Sequence, residues 1–242
     1  MSSPVRVGDT VRRTSGPWTP TVQALLDYLV THRFDYAPRP MGLDEQGREM
    51  LEFLPGASGH RPWPDVLKGD SGLLQAAGML RRYHEVVAGF VPPADAQWRI
   101  GRRTVKAGEI IRHGDLGPWN MLWQGEKLTG LVDWDLAEPG ERITDVAQLA
   151  WYFVPLRGEQ GWRDSGFELA PDVRTRLGLL CGAYGDFEVD QVLREVDRLQ
   201  RADMEITQRL GGGGVHPWSI FYERNGMAVL RMENAWLQQY LN

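Results

Sequence analysis

Apolar and polar positions in the first quarter of the chain follow strand and helix periods in turn. "PVRVGDTVRR" alternates around Gly8-Asp9, a dipeptide suited to a tight hairpin turn. The next segment predicts a helix, with Thr19 as its cap, Pro20 at the first helical position, and an apolar stripe formed by Val22, Leu25, Leu26 and Leu29. "MGLDEQGREMLEFLPG" predicts a second hairpin that turns at residues 45–47. The predicted order is therefore strand, strand, helix, strand, strand.

The pattern becomes helical after a linker rich in proline, glycine and histidine, "PGASGHRPWPD". The first helix after this linker is predicted from the helical spacing of five residues: Leu73, Ala77, Leu80, His84 and Val87. Further helices are predicted at roughly 144–156, 171–184, 188–210 and 217–241. This organisation predicts an α+β protein, with a small β-rich N-terminal lobe at residues 1–56 and a larger, mainly helical lobe at residues 57–242.

One polar hairpin interrupts the helical part, in "IIRHGDLGPWNMLWQGEKLTGLVDWDLAEPG". Its strands are predicted to turn at Gly125-Glu126, with Asp115 and Asn120 before the first strand and Asp133 after the second. Carboxylate and amide oxygens suit Mg²⁺, whose remaining ligands are commonly phosphates and water. A further carboxylate could orient a hydroxyl by accepting its proton. The alternative interpretation of these three residues is ordinary turn and capping chemistry.

Composition and charge narrow the class of partner. The net charge of −5 argues against a nucleic-acid-binding surface. No apolar run approaches the ~18 residues of a membrane span, and the N-terminus lacks a signal-peptide pattern. The single cysteine, Cys181, excludes an intrachain disulfide and fits a reducing compartment. We therefore expect a cytoplasmic protein with no nucleic-acid or membrane partner.

Three motifs together carry a resemblance to a known family. "HGDLGPWN" matches H-x-D-x-x-x-x-N, "LVDWD" follows at the position of a kinase-like metal-binding aspartate, and "ITDVAQLAWY" lies downstream. In this order and spacing they closely resemble the aminoglycoside phosphotransferase family, relatives of the protein kinases. The resemblance extends over nearly the whole chain from Val5 onward, and it implies a two-lobed, protein-kinase-like fold.

The resemblance implies a role for each residue of the polar hairpin. Asp115 would be the catalytic aspartate that orients the acceptor hydroxyl, and Asn120 and Asp133 would bind Mg²⁺ that bridges the nucleotide phosphates. His113 would brace the catalytic loop, and Asp145 would support that loop from the following helix.

Two more residues of this region are candidates for substrate or metal contact. Asp135 could lie near the metal or the substrate, although a solvated acidic loop is an equal alternative, and Trp119 lies inside the catalytic loop. Between Asp133 and Asp145, five acidic residues face one basic residue, which would favour a cationic acceptor.

The nucleotide-binding part is also implied by the resemblance. Backbone groups of Glu52, Phe53 and Leu54 would face the adenine at an interlobe hinge. Arg12 would replace the lysine that contacts the phosphates, with Arg13 as the alternative if the strand register differs by one residue. In this family the C-terminal helices build the acceptor pocket, for which Trp218, Tyr222 and Trp236 are candidate wall residues.

The chain departs from the family pattern in its N-terminal part. No room remains for a first strand and glycine-rich loop, no G-x-G-x-x-G occurs, and the first helix offers Gln23 and Asp27 but no glutamate to pair with the arginine. The resemblance implies ATP or GTP and Mg²⁺ as cofactors, and transfer to a hydroxyl of an aminoglycoside-like antibiotic or an amino-alcohol metabolite. The alternative is a pseudokinase-like protein that binds a nucleotide or small ligand without transfer.

Overall fold

The computed structural model describes residues 4–241. Residues 1–3, at the start of the predicted N-terminal lobe, and residue 242, at the end of the other, lie outside the described part. The first sheet is antiparallel, with strand order β1-β2-β4-β3 and one helix, α1, between β2 and β3. These elements are β1 (Val5–Val7), β2 (Thr10–Arg13), α1 (Thr19–Thr31), β3 (Pro40–Leu43) and β4 (Glu49–Glu52). The predicted element order is confirmed.

The apolar stripe of α1 is buried as its spacing predicts. Its members Val22, Leu25, Leu26 and Leu29 are fully buried. The predicted cap is wrong, because the residue at the cap position is Trp18 and Thr19 is the first residue of the helix. The Thr19 hydroxyl instead accepts a hydrogen bond from the backbone N–H of Gly16 (2.8 Å), which closes the preceding turn.

The chain passes from the first sheet to a second one between Glu52 and Ala57. The second sheet has the order β5-β7-β8, and a separate two-stranded ladder pairs β6 with β9. The turn at residues 125–126 joins β7 to β8, as predicted. The strands are β5 (Ala57–Ser58), β6 (Ile110–Arg112), β7 (Met121–Gln124), β8 (Lys127–Leu131) and β9 (Glu138–Gly140).

Helices make up most of the remaining chain. They are α2 (Asp65–Lys68), α3 (Asp70–Val87), α4 (Arg142–Phe153), α5 (Gly158–Asp164), α6 (Val173–Tyr184), α7 (Val189–Ile206), α8 (Trp218–Glu223) and α9 (Gly226–Leu241). The short helices α2 and α5 were not predicted. The helix α7 continues into a π-helical turn at Thr207–Gly211, and the helix predicted at 217–241 breaks at Asn225, which has a φ of 63°.

Trp134 lies at the centre of the packing that positions the polar hairpin. Its side chain is fully buried and contacts the rings of His113, Tyr83 and Phe34, at centroid distances of 4.6, 5.1 and 6.4 Å. Because Trp134 is anchored in the core, the carboxylates on either side of it in the sequence are held at the surface of the same core. None of the helices between residues 4 and 241 is long and apolar enough to cross a membrane.

Candidate active site

His113 braces the loop that carries Asp115. Its Nδ1 accepts a hydrogen bond from the backbone N–H of Asp115 (3.2 Å), and its Nε2 lies 3.2 Å from the backbone oxygen of Val132. Burial lowers the pKa of His113 to about 4. The ring is therefore neutral, with Nε2–H donating to Val132, and it ties the Asp115 loop to the end of β8.

Asp145 supports the same loop from α4. It is fully buried, and it accepts hydrogen bonds from the backbone N–H groups of His113 (2.9 Å) and Gly114 (3.3 Å). The Nε2 of His84 lies 3.2 Å from its carboxylate. Burial alone would raise the pKa of Asp145, but the hydrogen bond and charge of His84 and the nearby Arg112 hold that pKa below its ordinary value. The carboxylate is therefore an ionised acceptor for the loop.

Gln148, one turn after Asp145 on α4, is a second anchor that the motifs did not reveal. Its Oε1 accepts from the N–H of Leu116 (2.9 Å), and its Nε2 donates to the backbone oxygen of Gly114 (3.0 Å). Residues three apart on a helix share a face. That spacing in "ITDVAQ" is the signal that could have predicted this second contact.

Asp115 and Asn120 are joined directly. The Nδ2 of Asn120 donates to the backbone oxygen (2.9 Å) and to the carboxylate (2.8 Å) of Asp115. Burial, together with the negative charge of Asp133, raises the pKa of Asp115 to about 7, against the lowering effect of the Asn120 hydrogen bond. Within residues 4–241 nothing donates to the Oδ1 of Asn120, which leaves this oxygen available as a ligand.

Asp133 and Asp135 lie on either side of the buried Trp134. Asp133 has a left-handed backbone, with a φ of 62°, and its side chain is 52% exposed. One of its oxygens accepts from the Nη1 of Arg13 (3.1 Å). Asp135 accepts from two arginines, through Oδ1 from the Nη2 of Arg13 and through Oδ2 from the Nη1 of Arg99, each at 2.6 Å.

The arginine beside the two aspartates is Arg13 and not Arg12, which corrects the preferred register. The β2–β4 register places Arg13 opposite Glu49, and its Nε donates to that carboxylate at 2.5 Å. Arg12 lies on the other face of the strand, 3.6 Å from Asp44. The first helix offers no glutamate, as the sequence shows, and the glutamate that pairs with Arg13 comes from β4. Although burial opposes the charge, Asp135, Glu49 and Asp133 raise the pKa of Arg13 above its ordinary value.

The predicted hinge residues Glu52, Phe53 and Leu54 differ in the availability of their backbone donors. The N–H of Glu52 donates to the backbone oxygen of Arg39 and the N–H of Phe53 to that of Asp9, both at 2.9 Å. The N–H of Leu54 has no partner in the described part of the chain. Among these three residues, whose backbone groups were predicted to face the adenine, only Leu54 has an N–H that is available to a ligand.

The donor set near Asp133 fits a hard divalent cation that also binds phosphates. Among residues 4–241 no group of three His, Cys, Asp or Glu side chains is arranged to hold a metal ion by itself. Asn120 and Asp133 supply one amide oxygen and one carboxylate. Mg²⁺ commonly takes only one or two protein carboxylates and completes its octahedron with water and substrate phosphates.

A cavity of about 690 Å³ opens beside the Asp115 loop. Its aromatic lining includes Trp119, Trp151, Tyr152, Trp218 and Phe221. The edge of Trp119 meets Tyr152 at a centroid distance of 4.8 Å. Of the candidate wall residues, Trp218 lines this cavity, whereas Tyr222 and Trp236 do not.

Asp203, on α7, is a cavity residue that the sequence patterns did not indicate. Its half-buried carboxylate has no hydrogen-bond or ion-pair partner within residues 4–241. Burial and the neighbouring Glu233 raise the pKa of Asp203 to about 6. Glu233, in contrast, accepts from the Nε1 of Trp151 (2.9 Å) and from the Nε of Arg157 (2.7 Å). The cavity therefore has aromatic walls, two arginines that are ion-paired (Arg157 with Glu233 and Arg61 with Asp164), and one acidic group without such a partner.

An antiparallel sheet with an inserted helix, followed by a larger helical part that carries this Asp–Asn–Asp arrangement, defines a protein of the kinase-like phosphotransferase class. The model of the phosphotransferase enzyme family matches residues 98–179. The trifolitoxin immunity protein of Rhizobium leguminosarum bv. trifolii is 38% identical over 185 residues, which cover 74% of this chain and 69% of that protein. The chain belongs to the aminoglycoside phosphotransferase family.

Solved structures agree in fold at low sequence identity. An amicoumacin kinase in complex with AMP-PNP and Ca²⁺ aligns with a TM-score of 0.65 and 12% identity, covering 98% of this chain and 88% of that one. A GDP complex of aminoglycoside 2'-phosphotransferase-IIIa aligns with a TM-score of 0.60 and 13% identity, covering 94% of this chain and 87% of that one. An ethanolamine kinase of Plasmodium vivax aligns with a TM-score of 0.58 and 12% identity, covering 93% of this chain and 75% of that one. The α+β, kinase-like fold predicted from the sequence is confirmed.

Proposed function

We propose that the protein transfers the γ-phosphoryl group of ATP or GTP to a hydroxyl of a bulky, cationic small molecule. The observation that carries the proposal is the position of Asp115. Its carboxylate is held by Asn120, close to the charge of Asp133, and its loop adjoins the cavity that Trp119 lines. A carboxylate at that junction can accept a proton from a hydroxyl as phosphoryl transfer proceeds.

The residues on the nucleotide side divide into metal ligands and phosphate contacts. Asn120 and Asp133 would hold Mg²⁺, which when bound neutralises charge on the transferring phosphoryl group. Arg13 would contact the phosphates, since its guanidinium already lies 3.1 Å from Asp133. His113 and Asp145 orient the Asp115 loop by hydrogen bonds to its backbone N–H groups. The N–H of Leu54 can donate to the nucleotide base. Phosphoryl transfer depends mostly on such positioning and charge neutralisation.

The cavity supports an acceptor that is large and positively charged. A volume of about 690 Å³ falls in the range of ~300–1,000 Å³ that is typical for drug-sized ligands. This size favours an aminoglycoside-like antibiotic over a small amino-alcohol metabolite. Aromatic walls and the unpaired carboxylate of Asp203 are the groups that attract an ammonium. The name of the immunity protein adds trifolitoxin to the candidate acceptors.

A transfer assay with a panel of acceptors tests the proposal. The protein is incubated with Mg²⁺, ATP or GTP, and aminoglycosides, macrolides, choline, ethanolamine or trifolitoxin, and the acceptors are analysed by mass spectrometry for the addition of one phosphoryl group. We expect a phosphorylated product from a bulky amine-bearing acceptor, and at least about 100-fold slower formation of that product with Asp115→Asn. Asp203→Asn should raise KM for that acceptor while leaving KM for the nucleotide unchanged. Nucleotide binding without transfer to any acceptor would support the pseudokinase alternative.

A further inference from the structure

Arg99 contacts Asp135, in the loop that also carries Asp133, although Arg99 belongs to none of the sequence motifs. It lies in the segment between α3 and β6, and its side chain is only 9% exposed. Its Nη1 donates to the Oδ2 of Asp135 at 2.6 Å. The other oxygen of Asp135 accepts from Arg13, also at 2.6 Å. One carboxylate is therefore shared between two arginines from distant parts of the chain.

Aromatic rings hold the Arg99 guanidinium in place. It lies 4.5 Å from the ring centroid of Trp18, which precedes α1, and 6.0 Å from that of Trp218, which lines the acceptor cavity. Both distances are within the range of cation–π attraction. A guanidinium that is held by aromatic rings and by a charge-assisted hydrogen bond has little freedom to rotate. It can therefore fix the position of the carboxylate that it binds.

Through Asp135, Arg99 affects the charges that surround Arg13, the residue proposed to contact the phosphates. Three carboxylates, those of Glu49, Asp133 and Asp135, accept hydrogen bonds from Arg13. Arg99 binds one oxygen of Asp135 and compensates part of its charge. Without Arg99, the whole charge of Asp135 would act on Arg13 and compete with phosphate oxygens for that guanidinium.

We propose that Arg99 is a positioning residue. It holds Asp135 so that Arg13 and Asp133 stay in position to bind a nucleoside triphosphate and its divalent cation. The proposal rests on the proposed function, because it assumes that this side of the site binds the phosphates. It assigns Arg99 no contact with the nucleotide or the acceptor. The proposal requires that the effect of Arg99 on phosphate binding passes through Asp135 and not through its contacts with Trp18, Trp218 or the backbone oxygen of His216, and this requirement makes it testable.

The test is a double-variant cycle on equilibrium binding. Isothermal titration calorimetry measures the affinity for AMP-PNP and GMP-PNP, each with Mg²⁺ and with EDTA, for wild type, Arg99→Met, Asp135→Asn and the double variant. Arg102→Met is the matched control, because Arg102 is an exposed arginine of the same segment. We expect Arg99→Met to weaken Mg²⁺-dependent binding about ten-fold, and to change it less than about two-fold in the Asp135→Asn background. The control should bind like wild type.

Each outcome separates this inference from the proposed function. If wild type binds neither analogue, both are overturned. If wild type binds, three results overturn the role of Arg99 alone: unchanged affinity in Arg99→Met, losses that multiply in the double variant, or equal losses with Mg²⁺ and with EDTA. If Arg99→Met does not fold, Arg99→Gln replaces it, since glutamine removes the charge but keeps a donor, and the same results decide.

Discussion

Arg13 donates a hydrogen bond of 3.1 Å to Asp133, a residue 120 positions further along the chain. Its neighbour Arg12 points to the opposite face of β2 and pairs with Asp44. We therefore predict that Arg13→Met weakens Mg²⁺–nucleotide binding about 10- to 100-fold, because one or two charge-assisted hydrogen bonds to phosphate are lost. Arg12→Met should change binding less than about three-fold, because its charge lies on the far face.

Calorimetric titration of both variants checks this prediction, with thermal unfolding as the control for folding. Arg12 and Arg13 have the same chemistry and lie on the same strand. A difference in nucleotide affinity between the two variants therefore reports only which face of the strand binds the phosphates. A larger loss in Arg12→Met than in Arg13→Met would show that the observed register does not describe the nucleotide-bound protein.

The second prediction concerns turnover. Asp115→Asn preserves the shape of the side chain and can still bond to Asn120, but it removes the proton acceptor. We expect kcat to fall about 10²- to 10⁴-fold while nucleotide affinity stays within about two-fold of wild type. Asp95→Asn, an exposed acid on the segment before β6, serves as the control and should turn over normally. Turnover of Asp115→Asn at more than a tenth of the wild-type rate would contradict the assigned role.

A third prediction concerns stability and pH in the absence of nucleotide and Mg²⁺. The folded-state pKa of Asp115, about 7, lies above its ordinary value of 3.8. The folded protein therefore binds the proton more tightly than the unfolded chain does. The resulting stabilisation is complete below pH 3.8 and is lost as the pH rises towards 7. Relative to Asp115→Asn, wild type should lose stability across this window and stay constant above it.

Thermal unfolding of the two proteins between pH 5 and pH 8, with EDTA, measures this difference. The melting temperature of wild type minus that of Asp115→Asn should fall by about 5–10 °C as the pH rises, because a pKa raised from 3.8 to about 7 is equivalent to roughly 2.5 kcal/mol between pH 5 and pH 8. Asp203, whose pKa is also raised and whose charge raises the pKa of Asp115, is replaced by asparagine in both proteins, so that its titration does not contribute to the difference. A difference that stays constant with pH would show that Asp115 is not buried as described.

The sequence alone could predict the fold class and the central residues, because these depend on local patterns. The apolar stripe of α1 and the alternation of the two hairpins follow directly from periodicity. Asp115, Asn120 and Asp133 have fixed spacings around one hairpin. Residues that share a loop or a hairpin must lie close together, so spacing alone predicts that proximity.

The remaining site residues depend on contacts between distant segments, which no local pattern encodes. A shift of one residue in strand register exchanges the two faces, and so Arg12 and Arg13 could not be distinguished before the β2–β4 pairing was known. Glu49, which pairs with Arg13, lies on β4, and no spacing in the sequence relates these two residues. Asp203 comes from a long amphipathic helix whose acidic residues range from exposed to buried, and only the cavity distinguishes it.

The last prediction tests the close approach between the Asp115 loop and the segment that follows Asp133. Gly114 has a φ of +77°, and a Cβ there would lie 2.3 Å from the backbone oxygen of Leu136. Gly108 has a similar φ of +83°, but a Cβ there would have nothing within 4 Å. Gly108→Ala should therefore cost only the strain of a left-handed backbone, about 1 kcal/mol. Gly114→Ala should cost about 3 kcal/mol or more, because the backbone must also move.

Urea denaturation of the two alanine variants measures both costs, and the difference between them isolates the contact with Leu136. Because the displaced segment contains Asp135 and adjoins Asp133, Gly114→Ala should also weaken Mg²⁺–nucleotide binding, whereas Gly108→Ala should leave it unchanged. Equal destabilisation in the two variants would mean that the loops separate readily. The hydrogen bonds of Asp145 and Gln148 to the Asp115 loop would then not fix its distance from Leu136.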